Sequence, residues 1–397
     1  MDTPAEPRVE PEKKARRGLL RALGRGIRAG WLYIGATILL LFVFEAGINT
    51  LYHWDDFHNH PSRRFEAYRG ADWVDAYVRE ELAVREGWAP FVHWRCEPRE
   101  GRDLRIGGDG LRRTWTRATP HDPLRRTFRV FVFGGSTTWG TGVRDEYTVP
   151  SWLARILSEE YGLDVEVTNF GEIGYVSTQE LILLLRQIQQ GNLPDLAIFY
   201  DGVNDIFSAV QSRQAGLPEH EFNRVREFNV LGRKRKALAA LFWGSSQQGL
   251  PRFAATLARR LLHAERKPFA LPDGLAEDVV RTYAANVKLA EILARASGFP
   301  ILFYWQPAIY SKASKPPEEQ ASENRLLFLK EFYLDVYRRV REHPGLAADT
   351  AFHDISALLD DRPEACYIDY FHLSEEANGL IARRLAEDAR AVLQAPK

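Results

Sequence analysis

From Phe128 onward, short apolar runs alternate with helical stripes, and few architectures accept that rhythm. Phe128–Phe133, Val165–Phe170, Leu196–Tyr200, Pro300–Trp305 and Phe352–Ile355 read as strands. Val149, Trp152, Leu153, Ile156 and Leu157 recur at helical spacing, as do Leu181, Leu184, Leu185 and Ile188. Further helices are expected over about 276–296 and 322–341. Ala377, Ile381, Leu385, Ala389 and Val392 stripe a last helix, with Ser374 as its cap. Strands separated by helices pair in parallel, because a parallel crossover needs a dozen or more residues. The pattern predicts an α/β fold: a three-layer α/β/α sandwich around a mainly parallel five-stranded sheet. In such sheets ligands bind at the carboxyl ends of the strands.

The N-terminal part has a different character. Lys13, Lys14, Arg16, Arg17, Arg21, Arg25 and Arg28 crowd a basic tail over 1–28. Residues 29–51 follow with Glu45 as their one charge, spanning roughly 35 Å as a helix, enough for a bilayer core of about 30 Å. Trp31 and Tyr33 stand near one end, Tyr52 and Trp54 near the other, as interface anchors do. A cleaved signal peptide fits less well, because the run is long and no small-x-small site follows. The reading is an uncleaved transmembrane signal anchor in an inner (cytoplasmic) membrane. The basic flank keeps the N-terminus in the cytoplasm and exports the remainder to the periplasm. A membrane partner protein could meet such a helix.

Residues 52–126 read as a juxtamembrane stalk and packing segment. Its Asp55, Asp56, His58 and His60 match no metal motif, so no metal is expected. Residues 208–272 interrupt the strand–helix rhythm with a basic, amphipathic stretch, read as an inserted helical cap of the domain over 127–395. Lysine plus arginine equals aspartate plus glutamate, 53 each, and nothing points to nucleic acid. Cys96 and Cys366, both on the exported side, are an even pair able to form a disulfide.

Four short motifs fall at strand ends: Gly134-Gly135-Ser136; Asn169-Phe170-Gly171-Glu172-Ile173-Gly174; Asp201-Gly202-Val203-Asn204-Asp205; and Asp369-Tyr370-Phe371-His372. A phosphate loop is excluded, since Thr141-Gly142 stands where lysine and a hydroxyl residue are needed. No dinucleotide fingerprint follows the first strand, and no Gly-x-Ser-x-Gly elbow is present. Acyl transfer needs a hydroxyl nucleophile, a base, a carboxylate to orient the base, and oxyanion donors. Ser136 offers the hydroxyl, His372 the base and Asp369 the carboxylate. The N–H groups of Ser136 and Gly174 and the amide of Asn204 offer an oxyanion hole. Asp201 and Asp205 read as turn and cap formers, His353-Asp354 as packing, and Gln306 as a substrate contact.

At these residues the chain resembles the SGNH/GDSL hydrolases, named for Ser, Gly, Asn and His in four blocks in this order. The resemblance covers about 127–395. It implies a flavodoxin-like SGNH fold, ester hydrolysis without a cofactor, and the roles just given for Ser136, Gly174, Asn204, Asp369 and His372. Two departures stand out: Gly135 replaces the aspartate of Gly-Asp-Ser, and Leu373 follows the histidine where proline is usual. Phe-Gly-Gly-Ser-Thr-Thr-x-Gly also looks like a membrane-anchored bacterial branch associated with envelope polysaccharides. The expected activity is a serine esterase acting on O-acyl, chiefly O-acetyl, esters of a cell-envelope glycan. The alternatives are acyl transfer to a polysaccharide by the same triad, and a non-catalytic glycan-binding or assembly subunit.

Overall fold

A computed structural model describes residues 10–117, 126–231, 253 and 270–395. Helix α1 spans Glu10–His58. Its Arg16–His58 portion is long and apolar enough to cross a membrane, which makes it a candidate anchor or signal sequence. Along it Trp31, Leu32, Tyr33 and Phe42 are exposed, and Glu45 accepts a hydrogen bond from the Asn49 amide one turn on. Residues up to Asp56 belong to one compact unit; the sheet lies in another, formed by Phe57–Gly232 and Pro268–Lys397.

That second unit begins with α2 (Pro61–Arg64), α3 (Val74–Glu81) and a hairpin of β1 (Glu86–Ala89) and β2 (His93–Cys96). The alternating elements follow: β3 (Phe128–Gly134), α4 (Ser136–Trp139), α5 (Val149–Arg155), β4 (Val165–Asn169), α6 (Ser177–Gln189), β5 (Leu196–Asp201) and α7 (Val203–Ser212). After α8 (Glu221–Leu231) come α9 (Leu275–Ser297), β6 (Ile301–Trp305), α10 (Pro317–Arg325), α11 (Leu327–Glu342), β7 (Phe352–Asp354) and α12 (Glu375–Leu393). The sheet order is β4-β3-β5-β6-β7, all parallel. This is the α/β sandwich expected from the sequence. The cap expected over 208–272 lies mostly outside the described residues; α7 continues to Ser212, and α8 falls within the cap's first half.

Continuous apolar strands mean burial on both faces. Every residue of β5 and β6 is buried. Phe133 stacks on Phe199 and Phe170, with ring centroids 4.8 and 5.0 Å apart, at the centre of the core. α12 packs over α5 through Ile381, Ala382, Leu385 and Ala389, all fully buried. Ser374 caps α12 through its side chain on the Ala377 N–H. A second core cluster joins Phe65, Tyr68, Trp73, Tyr77 and Val78 to Trp139 and Ile368, beside α4 and the Asp369 loop. Segment 57–115 therefore packs against the site instead of merely spacing the domain from the helix.

Cys96 and Cys366, a pair able to form a disulfide, are both free. Each thiol is buried with a partner of its own. Cys96 donates to Glu172 Oε1 at 2.8 Å, and Cys366 lies 3.6 Å from the Glu364 carbonyl, in a different core cluster.

Candidate active site

β3 ends at Gly134 and the chain turns directly into α4, which puts Ser136 at the carboxyl edge of the sheet. Gly135 is required there. A Cβ on it would lie 2.1 Å from Asn204 Nδ2, so the amide occupies the space that the aspartate of a Gly-Asp-Ser motif would need. The loop before α12 doubles back on itself, with the Ile368 N–H donating to the His372 carbonyl at 2.9 Å. That tight turn places Asp369 and His372 side by side.

Ser136 Oγ lies 2.7 Å from His372 Nε2, and His372 Nδ1 lies 2.7 Å from Asp369 Oδ2. An ionised Asp369 can only accept, so Nδ1 carries the proton and Nε2 keeps its lone pair for the Ser136 hydroxyl. The other Asp369 oxygen accepts from the N–H groups of Phe371 and His372, both at 2.9 Å. Burial alone would raise the Asp369 carboxyl; the His372 imidazole and these N–H bonds outweigh it and hold the group below its ordinary value. Burial alone would lower His372; the Asp369 charge and hydrogen bond outweigh it and raise the imidazole above its usual range.

The groups expected to donate to an oxyanion come from three segments. Asn204 sits on the first turn of α7 and donates one amide hydrogen to the Tyr175 carbonyl at 2.8 Å, which fixes the amide's orientation. The N–H groups of Ser136 and Gly174 make no hydrogen bond among the described residues. Gly174 has φ +73°, a left-handed conformation that glycine adopts at no cost. A Cβ there would also lie 2.6 Å from Glu219 Oε2 and 3.5 Å from the Trp94 ring.

Side chains that carried no sequence signal hold this arrangement. Arg112, fully buried, donates to Asp145 at 2.9 Å and to the carbonyls of Trp139, Gly140 and Val143 just after α4. Its guanidinium also lies 4.4 Å from the Trp139 ring centroid. Beneath the Gly174 turn, the buried Glu172 carboxylate accepts from the Cys96 N–H and thiol and from the Ile173 N–H, with Arg95 at 3.5 Å. Burial raises Glu172, and burial followed by the adjacent Glu172 charge raises the Cys96 thiol far above its usual range. Trp94 donates its indole N–H to the Ile173 carbonyl at 2.8 Å. Glu219, before α8, is pushed up to about 7 by burial first and then by Glu86, while Arg224 and His372 pull the other way.

Gln306 is 1% exposed and accepts from Thr137 Oγ1 at 3.2 Å, so its amide oxygen braces α4 from behind. Asp201 and Asp205, read as turn and cap formers, are both buried, and Asp205 does accept from the first residue of α6. They form a buried acid cluster with Glu180, in which Asp205 accepts from the N–H and hydroxyl of Ser177. Burial raises Asp201 to about 7, with the Asp205 charge adding to it and a hydrogen bond with Glu180 opposing it; burial raises Asp205 to about 6 against its hydrogen bonds from Ser177. His353 stacks on Tyr304, as packing. Among the described residues no cluster of histidine, cysteine or carboxylate side chains has the arrangement of a metal site.

A hydroxyl, an imidazole and a carboxylate in hydrogen-bonded sequence, at the carboxyl edge of a parallel sheet, define a serine ester hydrolase. The chain belongs to the GDSL-like Lipase/Acylhydrolase family, whose model matches residues 132–380. No curated protein matches it. Among solved structures it is similar to a lipase from a goat rumen metagenome, at 11% identity over 67% of this chain and 97% of that one, TM-score 0.38. It is similar as well to a lipolytic G-D-S-L protein from Veillonella parvula, at 15% identity over 66% and 97%, TM-score 0.37. A third is an acetylxylan esterase from Geobacillus stearothermophilus, at 12% identity over 68% and 95%, TM-score 0.34.

Proposed function

We propose that this esterase is a membrane-anchored, exported enzyme that removes O-acetyl groups from a cell-envelope glycan through an acyl-serine intermediate. Residues 29–51 anchor it in the inner membrane and residues 1–28 stay in the cytoplasm. The observation that carries the mechanism is the unbroken chain Ser136–His372–Asp369, with 2.7 Å at both links. Ser136 Oγ attacks the acyl carbon while His372 Nε2 takes its proton. The negative charge that develops on the carbonyl oxygen is met by the N–H groups of Ser136 and Gly174 and the second amide hydrogen of Asn204. His372 returns the proton to the leaving sugar oxygen, and the C–O ester bond breaks. Water, deprotonated by the same nitrogen, then releases acetate and restores Ser136. No cofactor enters.

Full-length protein in detergent, assayed with p-nitrophenyl acetate, tests this. Steady turnover is expected, lost by about 10⁶-fold in Ser136→Ala. The raised His372 places the acid limb of kcat/KM above pH 6.5. An acyl-enzyme burst that turns over only when a glycan acceptor is added would make the protein a transferase instead. Absence of any acyl-enzyme would sink both enzyme readings.

A further inference from the structure

We propose that the cavity beside Asp369, flanked by Arg64 and Arg325, holds an anionic group of the substrate, a carboxylate or phosphate borne by the glycan whose ester is cleaved. The inference rests on the proposed glycan esterase reading and names the class of glycan. The cavity measures about 260 Å³ and is lined by Pro61, Arg64, Glu318, Arg325, Asp369 and Tyr370 among others. That is below the roughly 300–1,000 Å³ of a whole-ligand pocket and fits one residue of a polymer. Asp369 belongs both to this lining and to the hydrogen-bonded chain that ends on Ser136. A sugar held here is therefore next to the catalytic loop.

The charges in the cavity are not mutually satisfied. Its two carboxylates keep their charge but are already engaged elsewhere as hydrogen-bond acceptors. Asp369 accepts from His372 Nδ1 and two backbone N–H groups, and Glu318 Oε2 accepts from the Glu66 N–H at 2.9 Å. The two guanidiniums are not. Neither Arg64 nor Arg325 forms an ion pair among the described residues, and Arg325 reaches only the Tyr370 hydroxyl. Neighbouring cations behave differently. Arg63 pairs with Asp75, Lys312 with Glu319, and Lys315 and Lys330 with Glu323. α10 thus spends two of its carboxylates on lysines and leaves its own terminal arginine open to the cavity. Each guanidinium presents five N–H donors in a planar fork, which matches a carboxylate or phosphate better than it matches a neutral sugar.

The test compares kcat/KM of the full-length protein on O-acetylated polyuronate and on O-acetylated neutral xylan, with calorimetric titration of inorganic phosphate alongside. Wild-type protein is expected to prefer the polyuronate, through KM more than kcat, and the preference should shrink at high salt. In Arg64→Gln/Arg325→Gln the ratio of the two kcat/KM values should fall about tenfold. A preference without phosphate binding assigns the site to a uronate. Phosphate binding that the double variant loses, without a polyuronate preference, assigns it to a phosphorylated glycan. An unchanged ratio together with no arginine-dependent phosphate binding overturns the proposal. Hydrolysis of p-nitrophenyl acetate with no activity on any glycan would instead overturn the glycan reading, and the phosphate titration would still decide the anion site.

Discussion

On one side of Ser136 a buried guanidinium gathers backbone carbonyls; on the other a buried carboxylate gathers N–H groups. Arg112 closes the turn after α4 by donating to the carbonyls of Trp139, Gly140 and Val143. Glu172 closes the turn before Gly174 by accepting from Cys96 and Ile173. The difference follows from which end of the peptide group converges in each turn. After a helix the carbonyls are left over, so a cation fits. Before Gly174 the N–H groups face inward, so an anion fits. The two clamps also differ in balance. Arg112 has Asp145 at 2.9 Å, whereas the Arg95 nitrogen near Glu172 is 3.5 Å away. The guanidinium clamp is the more tightly paired, and the carboxylate clamp depends more on neutral donors.

The contrast is broken most severely at Arg112. Arg112→Met leaves Asp145 buried without its guanidinium and the Val143 carbonyl unpaired, while the Trp139 and Gly140 carbonyls keep donors in Asn169, Tyr77 and the Val143 N–H, and it should cost about 3–5 kcal/mol in chemical denaturation. Arg112→Met/Asp145→Leu should recover part of that loss; if it recovers none, the carbonyl contacts outweigh the ion pair. A third charged group extends the comparison, because Glu180, Asp201 and Asp205 form no ion pair among the described residues. Their carboxyls are raised, so the folded state holds protons that the unfolded chain has lost. Stability should therefore fall as pH rises from about 4 through about 7, by about 2–4 kcal/mol. Asp201→Asn should flatten the slope of melting temperature against pH, and a slope unaltered by that change would acquit the cluster.

Next in size is Glu172→Ala, which loosens the Gly174 donor and should lower kcat on p-nitrophenyl acetate by about tenfold or more with KM little moved. Glu172→Gln, which keeps the shape and one acceptor, should restore most of it. Equal activity in both variants would reduce Glu172 to packing. The smallest effect is expected at Cys96. Cys96→Ala removes one donor from a buried carboxylate, about 1 kcal/mol, while Cys96→Ser keeps the donor and should be close to neutral.

The strands and helices were legible because burial on both faces writes an uninterrupted apolar signal: Leu196–Tyr200 and Pro300–Trp305 match β5 and β6 to within a residue. Ser136 was legible because it follows a strand end in a short motif, and Asp369 and His372 because they share one short motif just before the last helix. The clamps were not. Glu172 reaches Cys96 across 76 positions, and Arg112 reaches Asp145 across 33. Arg112 is also one arginine among many between Arg95 and Arg129, so spacing could not single it out. Asp201 and Asp205 looked like turn formers because burial of a carboxyl leaves no trace in the local pattern. The cysteine pair left its pairing open for a related reason: an even count says nothing of the distance between the two sulfurs.

The family's match begins at residue 132, yet Arg112, Cys96, Trp94 and the aromatic cluster around Tyr77 all come earlier in the chain. Where the family motifs start is therefore not where an autonomous module starts. A fragment cut at β3 would keep Ser136, Asp369 and His372 and lose the Arg112 clamp, the Cys96 donors to Glu172 and the cover over Trp139. The smallest portable version of this enzyme, for grafting or for swapping onto another anchor, begins near Phe57.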